Sequence, residues 1–243
     1  MLCETGRMLT LLSRAFLAPV ARAVYRPTVI GRNNVPRTGR VLLASNHLSF
    51  IDSVVLTLVA PRNVSFLAKS DYFTGEGAKG WLSRSFFSAI GAVPVDRGAG
   101  QAAQDALDAG LAILERDEAF AIYPEGTRSR DGRIYKGRTG AAWLAMSSNS
   151  LIVPVALIGT EKLQPVGSTI PRLHRVSVEF GRPIDASEYG QANSARARRK
   201  LTDVLMEDIQ RMSGQEPAGV YNEVPAASAI EKVKRALGRN RPS

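Results

Sequence analysis

Val41-Leu42-Leu43-Ala44-Ser45-Asn46-His47-Leu48-Ser49-Phe50-Ile51-Asp52 is the stretch whose reading decides the fold. Its first four residues form a short apolar run of the kind that makes a buried strand. Asn46-His47 reads as a turn, and Ile51 to Leu58 reads as a helix once its flanks are included. A strand that ends in such a turn and runs into a helix places the imidazole at the strand's carboxyl end, where open α/β sheets hold their ligands. With the helix beginning near Ser49, Asp52 falls in its first turn, where the macrodipole favours a carboxylate. His47 then sits just outside that turn, close enough for Asp52 to fix its tautomer and stabilise the imidazolium. Imidazole is the side chain best able to take a proton near neutral pH. Taken alone, the octapeptide from Ser45 also fits a loop histidine beside an ordinary helix-starting aspartate.

The same alternation continues outward in both directions. Thr28-Val29-Ile30, Val64 to Ala68, Ala92 to Val95, Ala119 to Tyr123 and Leu151 to Ile158 read as strands, and Val176, Val178 and Phe180 alternate like a half-buried one. Pro94 places its strand at an edge or at an unpaired position. Residues 101–116 form the clearest helix, with Ala106, Leu107, Leu111 and Leu114 on one face and Asp105, Asp108 and Glu115 on the other. Shorter helical patterns cover Trp81 to Ile90 and Thr139 to Met146, and Ala195 to Met212 reads as an exposed terminal helix. Trp81 and Trp143 lie in apolar surroundings and read as core. Strands alternating with helices imply α/β architecture, a single domain with a largely parallel central sheet flanked by helices. A chain of 243 residues suits one substantial core, assigned here to residues 28–213.

Two appendages flank that domain. Residues 1–27 carry Leu9, Leu12, Phe16, Val20 and Val24 interleaved with Arg7, Arg14 and Arg22, which fall on nearly one side of a helix. Such a basic amphipathic helix can lie in a bilayer interface, although a helix packed on the protein's own core has a similar pattern. Pro19 would kink or divide it. Residues 214–243 read as a polar, basic C-terminal tail to which no regular structure is assigned.

A hydrophobic content of 44% excludes a disordered chain, and a formal charge of +10 points to an anionic partner. Cys3 is the only cysteine, which excludes a disulfide framework and a thiolate metal cluster. No apolar run approaches the roughly 20 residues needed to cross a bilayer, and Ser13-Arg14 interrupts the first one too early for a signal peptide. No His, Cys or carboxylate pair has metal-ligand spacing, and neither a Gly-x-Ser-x-Gly elbow nor a glycine-rich dinucleotide loop is present.

Three strands end in distinctive polar groups: His47 with Asp52, Arg97, and Glu125 through Arg128. In a parallel sheet these ends share one rim. Two arginines beside a His–Asp pair suggest an anionic substrate held next to a base, because guanidinium grips phosphate with a bidentate fork. Lys69 adds a further positive charge, and Gly126 lets the backbone turn tightly near a ligand. Each has a plainer reading: Arg97 pairing with Asp96, Arg128 with Asp131, and Glu125 orienting Arg128 or capping a turn. His174, between arginines, reads as a surface strand residue.

With these residues in place the sequence resembles the glycerophospholipid acyltransferases, a family that includes bacterial 1-acylglycerol-3-phosphate acyltransferases. The likeness runs over roughly residues 30–185 in four ordered blocks. His47 and Asp52 look like a His-x4-Asp motif, and Gly91 through Arg97 looks like the second motif with Pro94-Val95 in place of an aromatic-aliphatic pair. Tyr123-Pro124-Glu125-Gly126-Thr127-Arg128-Ser129 is similar to the third, and Val153-Pro154-Val155 looks like the fourth. The resemblance implies transfer of a fatty acyl group from an acyl-CoA or acyl-carrier-protein thioester to the free hydroxyl of 1-acylglycerol 3-phosphate. It implies His47 as general base and Asp52 as its orienting group, with Arg97 and Arg128 on the acceptor's phosphate. Lys69, Glu125, Gly126 and Thr127 would complete the substrate site, and Val153, Pro154 and Val155 would border an acyl groove. It implies no cofactor beyond the thioester substrate, no metal, and peripheral attachment to the cytoplasmic face of the cell membrane through the N-terminal helix.

Two alternatives stay open at this point. Glycerol 3-phosphate or another lysophospholipid can serve as acceptor with the same residues, and a non-catalytic lipid-surface protein would share the basic termini. The retained His47–Asp52 pair argues against the latter. Nucleic acid is not expected as a partner, since no aromatic stacking platform accompanies the charge. Acyl-chain length, donor carrier, sn position and oligomeric state are not written in the residues.

Overall fold

Eight strands form one sheet in the computed structural model, which describes residues 23–95, 101–168 and 170–223 together with Pro19. They are β1 (Thr28–Ile30), β2 (Val41–Ser45), β3 (Val64–Lys69), β4 (Ala92–Val95), β5 (Ala119–Ile122), β6 (Leu151–Ile158), β7 (Ser177–Phe180) and β8 (Ile184–Asp185). The helices are α1 (Asp52–Val59), α2 (Gly77–Ala89), α3 (Gln101–Glu115), α4 (Gly140–Ser148), α5 (Thr160–Leu163) and α6 (Ala195–Ser213). The spatial order is β1-β7-β6-β2-β5-β3-β4, with β8 also paired to β6. Strands β6, β2, β5, β3 and β4 run parallel. Strands β7 and β8 run antiparallel to β6, and β1 is parallel to β7. The expected α/β domain with a mostly parallel sheet flanked by helices is therefore what forms.

The central strand shows why. All five residues of β2 are buried, so both of its faces are covered and it reads as a continuous apolar run. Val41 and Leu43 pack with Val55, Leu56 and Val59 of α1. Leu42 and Ala44 face the opposite way, onto Ile113 and Leu114 of α3, Leu144 of α4 and Leu201 and Leu205 of α6. Side chains alternate across a strand, so one five-residue stretch anchors two helical layers. The carboxyl-terminal end of α1 is closed by Arg32, whose Nε donates to the Val59 carbonyl at 2.9 Å. Strand β4 is the last in the order, which satisfies Pro94 at an edge.

Several expectations are corrected. Helix α6 is not an exposed appendage: Leu201, Leu205 and Ile209 are 0% exposed and cover the sheet. Ser194 starts it by accepting the Ala197 N–H, and Gly214, at φ 68°, ends it. Trp81 is not core but 63% exposed on α2. The stretch after α6 is not a free tail, because residues 215–222 bond along the loop containing Ile134 and Lys136. Residues 23–25 are helical, while the rest of the proposed N-terminal helix, apart from Pro19, and residues 224–243 of the tail lie outside the described residues. Among the described residues no helix is long and apolar enough to cross a membrane.

Candidate active site

The polypeptide leaves β2 through Asn46, whose buried carboxamide prolongs the pairing with β6. Its Oδ1 accepts the Leu157 N–H at 2.8 Å and its Nδ2 donates to the Leu157 carbonyl at 2.9 Å. A side chain thus replaces backbone pairing where the main chain turns away. His47 follows, 2.8 Å through Nδ1 from Asp52 Oδ2. The same oxygen accepts the N–H groups of Leu48 at 2.7 Å and Ser49 at 2.8 Å. Helix α1 starts at Asp52 itself, three residues later than the sequence suggested. The carboxylate therefore reaches back over the turn and holds it closed around the imidazole. Asp52 is 0% exposed, and its Oδ1 has no hydrogen-bond partner among the described residues. An ionised carboxylate only accepts, so Nδ1 carries the hydrogen and Nε2 presents its lone pair.

The second rim loop locks onto the first. Glu125, 0% exposed, accepts the His47 N–H on Oε1 at 3.0 Å and the Tyr135 N–H on Oε2 at 2.9 Å. Ser129 N–H donates to the His47 carbonyl at 2.8 Å. Both backbone groups of His47 are thereby tied to the Pro124–Ser129 loop, so Glu125 neither orients Arg128 nor caps a turn. Gly126 has φ 79°, and a β-carbon there would stand 3.0 Å from Arg138 Nε. Tyr123 lies flat on the imidazole, with ring centroids 3.9 Å apart and an interplanar angle of 11°. Its hydroxyl shares a 2.7 Å hydrogen bond with Ser53 Oγ. Burial and then the charge of Asp52 push the phenol well above its ordinary range, so it stays neutral beside the imidazole.

Burial also pushes the Glu125 carboxyl up to about 7, against the pull of its two backbone donors. Its folded-state value exceeds its ordinary 4.5, so the folded protein holds the proton more tightly there. That contribution to stability is full below about 4.5 and is lost as pH rises through about 7. Thermal unfolding of Glu125→Gln between these limits should lack the falling slope that the native protein shows; parallel curves for the two would contradict this.

His47 lines a cavity of about 130 Å³ with Ser53, Phe66, Lys69, Tyr123 and Arg128. Among the described residues nothing bonds to Nε2, which leaves it for a ligand. The exposed side chain of Arg128 borders the cavity. Lys69 does too, but its ammonium pairs with Asp71. Thr127 is half-buried, with its carbonyl bound by Asn222. Arg97 lies outside the described residues. Val153, Pro154 and Val155, the expected border of an acyl groove, are buried within β6 and line neither the His47 cavity nor a larger apolar one. This second cavity, of about 440 Å³, is walled by Tyr25, Ile51, Leu58, Phe86, Leu163 and Val176. Phe50 and Val54 line both cavities.

Sequence reading missed the ring of Tyr123, the Ser53 hydroxyl, and Tyr72 and Phe87, which stack at 4.5 Å and line the cavity with His47. The one available signal was an aromatic residue immediately before Pro124 at a strand end. Among the described residues no group of three or more His, Cys, Asp or Glu is arranged to hold a metal ion. The site offers an imidazole lone pair, an adjacent cation and an apolar extension.

A family model described as Acyltransferase matches residues 26–158. The chain is 31% identical over 177 residues to the 1-acyl-sn-glycerol-3-phosphate acyltransferase LPAT1, chloroplastic, of Arabidopsis thaliana, covering 72% of this chain and 48% of that protein. It is also 31% identical over 145 residues to the 1-acyl-sn-glycerol-3-phosphate acyltransferase BAT2, chloroplastic, of Brassica napus, covering 59% of this chain and 40% of that protein. The chain thus spans about half the length of these plant relatives or less. The crystal structure of the 1-acyl-sn-glycerophosphate acyltransferase PlsC from Thermotoga maritima superposes with a TM-score of 0.64 at 21% identity, covering 87% of this chain and 83% of that one. That likeness shows a shared fold.

Proposed function

Since the chain belongs to the Acyltransferase family, whose model spans residues 26–158, we propose that it moves a fatty acyl group from a thioester to the free hydroxyl of 1-acylglycerol 3-phosphate, giving phosphatidic acid. The observation that carries this reading is the His47–Asp52 contact at the mouth of a cavity that Arg128 borders. Nε2 takes the hydroxyl proton as the oxygen attacks the thioester carbonyl. The new C–O bond forms, the C–S bond breaks, and the imidazolium returns its proton to the departing thiolate. No acyl-enzyme is needed, because the thiolate is a good leaving group and the substrate supplies the nucleophile. Asp52 holds the ring in the reactive tautomer and balances its transient charge, as the third member of a triad does.

Arg128 grips the acceptor's phosphate, helped by Arg97. The apolar cavity of about 440 Å³ is of the size that small-ligand sites have, about 300–1,000 Å³, and takes acyl chain. The donor is acyl-CoA or acyl-carrier protein, and no resident cofactor takes part. The enzyme works as a peripheral protein on the cytoplasmic face of the membrane, drawn there by its N-terminal segment. Trp81 and Leu82 on α2, 63% and 64% exposed, suit the same surface, and Phe86 on that helix borders the apolar cavity.

Phosphatidic acid formed by the purified protein, offered a panel of acceptors with both thioester carriers, tests the proposal. Turnover of lysophosphatidate supports it. Turnover confined to glycerol 3-phosphate would overturn the acceptor, and silence with every thioester would favour a lipid-binding role. Arg128→Ala should raise the acceptor's KM by about tenfold or more, as losing a charged hydrogen bond implies, with a smaller change in kcat. An unchanged KM would remove Arg128 from the phosphate site.

A further inference from the structure

Residues 215–222, which follow α6, do not leave the domain. Gln215 spans two loops with one carboxamide: Oε1 accepts Asn46 Nδ2 at 2.7 Å and Nε2 donates to the Gly132 carbonyl at 2.7 Å. Pro217 forms a parallel bridge with Ile134, whose N–H donates to the Glu216 carbonyl at 2.9 Å and whose carbonyl accepts the Ala218 N–H at 2.8 Å. Lys136 N–H donates to the Val220 carbonyl at 2.9 Å. The Tyr221 ring lies 5.7 Å from the Arg138 guanidinium, and its hydroxyl accepts from Arg199 Nη1 at 3.2 Å. Asn222 completes the run, its Nδ2 donating to the carbonyls of Thr127 at 3.3 Å and Arg128 at 3.2 Å.

One end of this strap touches the residue before His47, and the other holds the backbone of Arg128. The loop between β5 and α4 belongs to no strand of the sheet, so its polar backbone groups need partners from elsewhere. The strap supplies them at Thr127, Arg128, Gly132, Ile134 and Lys136, beside the Ser129 and Tyr135 N–H bonds to the His47 carbonyl and Glu125. Arg128 itself is exposed and meets no ion-pair partner among the described residues, so its side chain is aimed mainly by the backbone that carries it.

We propose that residues 215–222 are a brace fixing the distance between the base and the phosphate-gripping cation, with Asn222 a positioning residue for acceptor binding. The inference rests on Arg128 being the phosphate ligand. With the brace loosened at Asn222, the Thr127–Arg128 segment samples positions from which the guanidinium misses the phosphate, while the His47–Asp52 pair stays as it is.

Kinetics of full-length Asn222→Ala, Arg128→Ala and the double variant, with lysophosphatidate and an acyl thioester, test this. Asn222→Ala should raise the acceptor's KM by about three- to tenfold, the scale of one or two ordinary hydrogen bonds, and leave donor KM and kcat within about twofold. Added to Arg128→Ala, it should raise KM no further, because both changes act on one contact. A wild-type KM in Asn222→Ala, or losses that multiply in the double variant, would overturn the brace. If Arg128→Ala raises KM and Asn222→Ala does not, the brace alone falls. If Arg128→Ala has no effect, the phosphate assignment falls and takes the brace with it.

Discussion

His47→Ala is expected to lower kcat for phosphatidic acid formation by about 10²–10⁴-fold, the usual range for removing a general base. The variant takes away the imidazole lone pair that lines the cavity. Folding should survive. The His47 side chain is 17% exposed, and Asp52 keeps the Leu48 and Ser49 N–H groups on the same oxygen. The backbone clasps from Glu125 and Ser129 do not involve the ring at all. Steady-state kinetics beside a thermal melt would separate lost chemistry from lost structure. Turnover within a few-fold of the native protein would exclude His47 as the base.

Asp52→Asn should lose activity on the order of 10²–10⁴-fold, because the imidazolium that forms forfeits its counter-charge. Here a stability loss accompanies it. A carboxamide that keeps oxygen at the Oδ2 position can still serve His47, Leu48 and Ser49. Its NH₂ then occupies the Oδ1 position, which is buried and has no partner among the described residues. An orphaned buried donor costs about 1–3 kcal/mol. Flipping the amide gives Nδ1 a donor, and so the unreactive tautomer, but sets NH₂ against the Leu48 and Ser49 N–H donors. Urea unfolding of this variant should show a lowered midpoint, unlike His47→Ala; full activity would refute the orienting role.

Much of the architecture was legible because its strands are buried on both faces. Val41 to Ala44, Ala119 to Ile122 and Leu151 to Ile158 are unbroken apolar runs for that reason, and their separation by helical patterns implies parallel pairing. The direction of β7 was not legible. Val178 and Phe180 show the alternation, but strand direction depends on the connection. Here the connection, residues 159–176, holds among its described residues only the four-residue α5 in place of a crossover helix. Trp81 misled because an aromatic residue in an apolar helix reads as core whether it faces protein or not.

At the site, the five-residue step from His47 to Asp52 suggested a contact, and the turn that Asp52 closes makes it. The rest depends on long-range geometry. Glu125 reaches the backbone of a residue 78 positions away, and Asn222 reaches carbonyls 95 and 94 positions away. Backbone acceptors carry no side-chain signature, so neither partner was written in the residues. The Val153-Pro154-Val155 block is apolar because it serves the core, while the apolar cavity of about 440 Å³ is assembled from α1 and segments on either side of it.

The central claim is that His47 and Asp52 act as one unit on the acceptor's hydroxyl. Its most direct test is kcat for phosphatidic acid formation measured together in the native protein, His47→Ala, Asp52→Asn and the double variant. The account predicts that the double variant matches His47→Ala within about threefold, because orienting a base that is absent gains nothing. Losses that multiply, or native-like turnover without His47, would contradict it.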